Sequence, residues 1–476
     1  MNNKKTETFI KDMNELSEGL KEKKRIFFLG IGGIGMSALA RVLVSRGYDV
    51  SGSDIKDNKN IQQLIQIGCT ITLGHDISLK ESDLVVYSSA ISADNQQLNE
   101  ARQLGIPIIH RSELLGFLMR DKTSIGITGT HGKTTTSALI SFILQELRIK
   151  PTCIVGGLMI NYNSNAIEGE GEIVIAEVDE SDKSLVNLRP KIAVITNLDE
   201  EHLDIYADLN DIKNTLITFM NGMGDKGVVI YNYDDEDLKK IVTDTAKRHI
   251  SFGMNEGAVF QAKNIIYEGG YASFDLFKDS CFVAPVKMPL LGLHNVYNAL
   301  AAFAALFTLE IDPRLLVPFL VSFQGIARRV EVKYQDDDII VIDDYAHHPT
   351  EISATIQALF RMKKPDQALT IVFQPHRYSR TMHLGGYFGT CFNGVDNVIV
   401  TDIYSAGENP IEGVDEKIIY NSVKEKGNVP VEYIQKDKII EYLSSNLPRK
   451  AFVAFLGAGN ITETADEFSN FLKSNR

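Results

Sequence analysis

Twice along this chain a short apolar run, a glycine-rich turn and an apolar-faced helical pattern follow one another without a break. RIFFL (25–29) runs through GIGGIG into MSALARVLV, and TSIGIT (123–128) runs through GTHGK into TTTSALISFILQEL. Strand, tight turn and helix in line form the repeating unit of a parallel α/β sheet, and this succession constrains the fold more than any other feature.

The rhythm divides the 476 residues into three blocks, as a length too great for one core requires. Residues 1–120 add strands at DVSGSD, DLVVYSSA and IPII, behind a charged N-terminal segment that reads as a solvated extension. Residues 121–328 add EIVIAEVD, KIAVITNL and KGVVIYN, with a hairpin annex expected at 258–290 around Gly269-Gly270. Residues 329–476 alternate DIIVIDD, LTIVFQ, NVIVTDI, VPVEYI and AFVAFLG with helical segments. The expected fold class is α/β in three domains, each a mostly parallel sheet with flanking helices.

Composition removes several function classes. A net charge of −13 argues against nucleic acid as a partner, since backbone phosphates demand clustered Lys and Arg. No apolar run approaches the roughly 18 residues that cross a bilayer. Cys69, Cys153, Cys281 and Cys391 are far apart and form no CxxC pair, which fits a reduced, cytoplasmic setting.

The first turn, Gly30-x-Gly32-x-x-Gly35, has the form of a dinucleotide fingerprint, with Asp54 19 residues beyond it. Glycines there let backbone approach a pyrophosphate at a helix N-terminus. On this turn alone, a nicotinamide dinucleotide and tight strand-on-helix packing are both open. The second turn, GITGTHGKTTT (126–136), carries the working end of a phosphate-binding loop, although its glycine spacing departs from GxxxxGK[ST]. Backbone N–H groups would cradle phosphates, Lys133 would reach the β/γ oxygens, and the Thr134 hydroxyl would meet Mg²⁺.

Two later strand ends carry metal-type groups: AEVDESD, with Glu177, Asp179, Glu180 and Asp182, and TNLDEEHLD, with Glu200, Glu201, His202 and Asp204. Oxygen ligands and one imidazole suit Mg²⁺ or Mn²⁺ beside ATP. In the last block, DDYAHHPTE (343–351) and FQPHRYSRT (373–381) concentrate basic groups on an acidic chain. Arginine can hold a carboxylate through two parallel hydrogen bonds, and neutral histidine can take a proton from an ammonium. A plainer reading makes His347 or His348 the cap of the following helix.

In order and spacing, these blocks, with LGLHNVYNALAA, GIARRVE and GAGNI, resemble the Mur ligase family over nearly the whole chain. DDYAHHPTE and FQPHR resemble its alanine-adding branch, and His131 stands where other members usually have Asn. The resemblance implies Rossmann-like outer domains, a P-loop ATPase-like centre, and ATP-dependent ligation of L-alanine to UDP-N-acetylmuramate through an acyl phosphate. It assigns the UDP-sugar to Gly32, Gly33, Ile34, Gly35, Ser53, Asp54, His75, Ser88 and Ser89. ATP falls to Gly129, Thr130, His131, Gly132, Lys133, Thr134 and Thr135, with Asn295, Asn298, Arg329 and Asp344. The metal falls to Thr134, Glu177 and His202, and the incoming amino acid to Tyr345, His376 and Arg377, with His348 as a catalytic candidate beside Lys133, Glu177 and His202. Leu293 and Val330 depart from the family pattern, which commonly has Arg and an aromatic residue there.

Overall fold

The computed structural model describes residues 24–74, 78–201 and 205–475. The N-terminal segment, His75, His202 and Asp204 lie outside these residues. The described residues form three sheets. The first holds β1 (Arg25–Leu29), β2 (Asp49–Asp54), β3 (Thr70–Leu73), β4 (Leu84–Tyr87) and β5 (Ile108–His110) in the order β3-β2-β1-β4-β5. All its pairings are parallel. The order reverses beside β1, so the first glycine turn leaves the sheet at a switch point, where open α/β sheets bind ligands.

The second sheet contains β6 (Thr123–Thr128), β7 (Thr152–Met159), β8 (Ser164–Ile167), β9 (Ile173–Glu177), β10 (Ile192–Ile195), β11 (Val228–Asn232) and β12 (Arg248–Gly253). It continues into β13 (Phe260–Glu268), β14 (Tyr271–Lys278) and β15 (Cys281–Met288), in the order β15-β14-β13-β12-β11-β10-β6-β9-β7-β8. β6 lies between β9 and β10, parallel to both, which brings AEVDESD and TNLDEE (196–201) to either side of the phosphate-loop turn. The expected annex is instead a three-stranded meander that prolongs this sheet from β12. Its two-residue turns, Gly269-Gly270 and Asp279-Ser280, have positive φ throughout (59°, 82°, 48° and 61°), the backbone that joins twisted strands tightly.

The third sheet holds β16 (Glu331–Gln335), β17 (Ile339–Asp344), β18 (Ala368–Phe373), β19 (Asn397–Val400), β20 (Val431–Tyr433) and β21 (Ala451–Leu456), in the order β16-β17-β21-β18-β19-β20. It is parallel except for the edge strand β16. β21, AFVAFL, is buried along its whole length, as a strand covered on both faces must be.

Three sheets answer to the three expected blocks, and by contact they group into two compact units: one contains the first two sheets, the other the third sheet from Gly325 onward with two short stretches, 266–273 and 288–295. Within the first unit a single apolar core includes Phe28, Leu39 and Val42 from the first sheet's side and Ile154, Ala166 and Val174 from the second. The helix Ile34–Ser45 packs on β7 and β8.

Candidate functional site

The phosphate-loop turn is shaped by glycine where no other residue fits. Gly129 and Gly132 have φ of 118° and 85°. A Cβ at 129 would stand 2.4 Å from Thr196 Oγ1, and one at 132 would stand 2.3 Å from Asn298 Oδ1. The end of β10 braces the turn: Asn197 Oδ1 accepts from His131 N at 2.8 Å, and the Thr196 hydroxyl donates to His131 O at 2.6 Å. Gly132 is the N-cap of the helix Lys133–Glu146 and has no side chain to offer its first-turn N–H groups, which leaves them suited to an anion.

Lys133 folds back into its own turn. Its ammonium donates to Gly129 O (2.5 Å), Thr130 O (3.0 Å) and Glu180 Oε1 (2.7 Å). Burial pulls its pKa down, but Glu180, Glu177 and Asp179 more than offset this and hold it above the ordinary lysine value. The Thr134 hydroxyl donates to Glu177 Oε2 at 2.9 Å, and Gly156 N donates to the same oxygen at 2.9 Å. Burial raises the Glu177 carboxyl above its usual range, with Lys133 opposing. A half-buried carboxylate beside a hydroxyl is an oxygen pair that a hard divalent cation fits, and cation binding would favour the ionised form that burial resists. Among the described residues no group of three or more His, Cys, Asp or Glu side chains converges on one point.

The acidic run AEVDESD therefore divides its labour instead of acting as one cluster. Glu177 faces Thr134 and Glu180 faces Lys133, while Asp179 and Asp182 turn toward the first sheet. There Arg111 Nη2 donates to Asp179 (2.7 Å) and Asp182 (3.2 Å). Ser89 Oγ, which donates to Asp182, also lies 3.0 Å from His110 Nε2.

Around the first turn, Gly30 has φ 72° and Gly32 N donates to Asp54 Oδ2 at 2.9 Å. Gly33 is the N-cap of the helix Ile34–Ser45, and Ile34 and Gly35 lie in its first turn. Ser88 and Ser89 follow the end of β4. Two of the expected substrate residues have protein partners here. The Asp54 carboxylate holds the turn's own amide, and Ser53, buried, donates to Gln97 Oε1 at 2.7 Å. Both brace the turn from behind.

In the second unit Asp344 Oδ2 accepts from Val330 N (2.7 Å) and Oδ1 from Ala346 N (2.9 Å), so this buried carboxylate ties β17 to the Arg329 segment. The Arg329 guanidinium lies 5.2 Å from the Tyr345 ring centroid, and that of Arg328 5.0 Å. His348 is the N-cap of the helix Pro349–Met362: its ring nitrogen accepts from Thr350 N while Glu351 accepts from His348 N. With Nδ1 accepting from backbone, a neutral His348 carries its proton on Nε2. His347 Nδ1 faces Tyr345 O (3.0 Å) and Glu351 Oε2 (3.2 Å). His376 Nδ1 accepts from Arg380 at 3.1 Å, and its ring stacks on Tyr404. Burial, with His347 and Arg380 next, pulls its pKa down to about 2. Arg377, whose φ of 70° and ψ of 140° suit glycine far better, stands 3.9 Å from Glu408 Oε1. Asn298 accepts from Thr136 at 3.3 Å beside Gly132, whereas Asn295 donates to Leu291 O at 2.8 Å at its own helix start.

Three family models cover the chain: Mur ligase family, catalytic domain (25–123), Mur ligase middle domain (127–306) and Mur ligase, glutamate ligase domain (328–459). A UDP-N-acetylmuramate–L-alanine ligase of a Sulfurihydrogenibium species is 42% identical over 451 residues, covering 94% of this chain and 98% of that protein. The chain belongs to the Mur ligase family.

Among solved structures, the UDP-N-acetylmuramate–alanine ligase of Thermotoga maritima matches with a TM-score of 0.82 at 28% identity, over 95% of this chain and all of that one. A murein peptide ligase from Psychrobacter arcticus matches at 0.71 and 24% identity, over 95% and 99%, a likeness of fold. In this Mur ligase, sequence reasoning missed Arg111, Glu180's pairing with Lys133, and the bracing Thr196 and Asn197. Arg111 gave no signal, since a single Arg in HRSELL has no motif around it. Glu180 was visible as an acid, but its partner lies 47 residues away.

Proposed function

We propose that this chain joins L-alanine to the carboxylate of UDP-N-acetylmuramate at the expense of ATP, releasing ADP and phosphate. Lys133 carries the reading: a half-buried, firmly cationic ammonium inside a phosphate-type loop, beside a Thr–Glu pair, in a chain 42% identical to an alanine-adding ligase. Free carboxylate and amine do not condense in water, so the muramate carboxylate attacks the γ-phosphorus to give an acyl phosphate. Lys133 exchanges its internal carbonyl partners for phosphate oxygens and neutralises charge gathering on the transferred group. Thr134 and Glu177, with His202, would hold Mg²⁺, which when bound supplies further neutralisation of that charge. The alanine amine then attacks the acyl carbon and phosphate departs.

Arg377 takes the alanine carboxylate in this reading, because a planar guanidinium holds it at two points. The amine must lose a proton, and the hydrogen-bond partners indicate which imidazole accepts it. Arg380 can only donate to His376 Nδ1, so a neutral His376 keeps its proton on Nε2. Tyr345 O can only accept, so His347 Nδ1 carries the proton and Nε2 has the lone pair. His347 is the base candidate that replaces His348. Four free thiols suit the cytoplasm as the compartment.

The test is phosphate release measured with ATP, UDP-N-acetylmuramate and each amino acid in turn. Release should need both the UDP-sugar and L-alanine, and robust turnover with neither present would sink the ligase reading. Turnover with a muramate-accepting tripeptide in place of alanine would move the chain to the murein peptide ligases.

A further inference from the structure

We propose that Arg111 is a positioning residue that neutralises Asp179 and Asp182, so that two phosphorylated substrates can bind on either side of this acidic run. The inference rests on the ligase reading, which assigns a pyrophosphate to the first glycine turn and a triphosphate to the second. Arg111 opens the helix Arg111–Met119 directly after β5, and its backbone is fixed by the capping box of His110 and Glu113. Its Nη2 reaches across to Asp179 and Asp182 at 2.7 and 3.2 Å. Its Nη1 lies 3.3 Å from where a Cβ on Gly35 would stand, in the first turn of the helix that is to face the pyrophosphate. Gly35 thus makes room for a guanidinium.

Asp179 and Asp182 sit between the two assigned phosphate sites. Asp179 acts on Lys133 and Glu177, and Asp182 on Ser89 and His110. Without Arg111, uncompensated negative charge would face both polyanions, and Asp179 would draw on Lys133, the cation the γ-phosphate needs.

The test is calorimetric binding of UDP-N-acetylmuramate, and separately of Mg²⁺ with a non-hydrolysable ATP analogue, to the full chain. Arg111→Gln should weaken both by roughly tenfold, and the loss should shrink at high salt. Adding Asp179→Asn to Arg111→Gln should restore both to within about threefold of wild type, which a merely structural arginine would not allow. Asp179→Asn alone, which keeps Arg111, should bind both ligands as well as wild type or better, and it serves if Arg111→Gln fails to fold. Unchanged binding in Arg111→Gln, no rescue in the double variant, or a tenfold loss in Asp179→Asn alone overturns the inference. Failure of the wild-type protein to bind either ligand would instead remove the ligase reading.

Discussion

Two adjacent histidines show what a single residue's environment decides. In sequence, His347 and His348 are equivalent neighbours ahead of a helix, and no periodicity separates a base from a cap. The structure separates them by partners: His348 takes an N–H of the helix it starts, and His347 gives its Nδ1 proton to Tyr345 O. His348→Asn should therefore leave kcat within about threefold, because Asn is itself a strong N-cap, while His348→Ala should cost about 1 kcal/mol of stability. His347→Gln should lower kcat about 100-fold with little change in melting temperature, the usual scale for a general base. Steady-state kinetics with melting curves of the three variants decide it, and the reverse pattern would return the catalytic role to His348. The phosphate-loop residues were legible because their motif is local. Arg111 was not, because its carboxylate partners lie 68 and 71 residues away.

Among elements, most strands were legible, including the edge strands β5 and β20, but three edge strands were not. β3 (TITL), β8 (SNAI) and β16 (EVKYQ) have mixed or polar patterns because an edge strand leaves part of its length to solvent. β17 was readable as IIVIDD, but not the cost of its last two acids. Asp343 is fully buried at the strand end, held by the Thr462 hydroxyl and 3.7 Å from Arg328 Nε. Burial pushes its pKa up to about 6 from 3.8, with Arg328 pulling the other way. Between these values the folded protein binds the proton that the unfolded chain has released, so this group's contribution to stability falls as pH rises from about 4 to about 6. Two pH units correspond to about 3 kcal/mol. Asp343→Asn should thus gain on wild type by up to about 3 kcal/mol between pH 4 and pH 7, measured by urea unfolding across that range. A pH-independent difference between the two proteins would show that Asp343 is ionised at no cost.

On the scale of the whole molecule, the first two of the three sequence blocks share one compact unit, and the reason is a core that no boundary in sequence reveals. Apolar periodicity within each block says that a face is buried but not against what. Here the helix Ile34–Ser45 of the first block buries Met36, Leu39, Ala40 and Leu43, and it packs on β7 and β8 of the second. Each fully buried Leu or Met of this kind contributes about 1.5–3 kcal/mol. Polar bridges lie around the apolar contact: Asn165 Nδ2 donates to Ile34 O (2.8 Å) and Ser37 Oγ (3.0 Å), and Arg46 pairs with Glu168 at 2.9 Å. Separating the first two sheets would expose that apolar surface and leave buried Asn165 and Ser37 to find new partners, a cost comparable with the whole stability of a small domain. The two sheets should therefore unfold together. Native-state hydrogen exchange in rising urea tests this: amides of β1 and β4 should merge onto the same opening isotherm as those of β6 and β10. Adding Mg²⁺ with a non-hydrolysable ATP analogue, which the proposed function places at the second sheet, should then raise protection in the first sheet by the same amount. Protection gained in β6 and β10 with none in β1 and β4 would mean that the first sheet opens by itself, and that the block boundary near residue 120 is a true folding boundary.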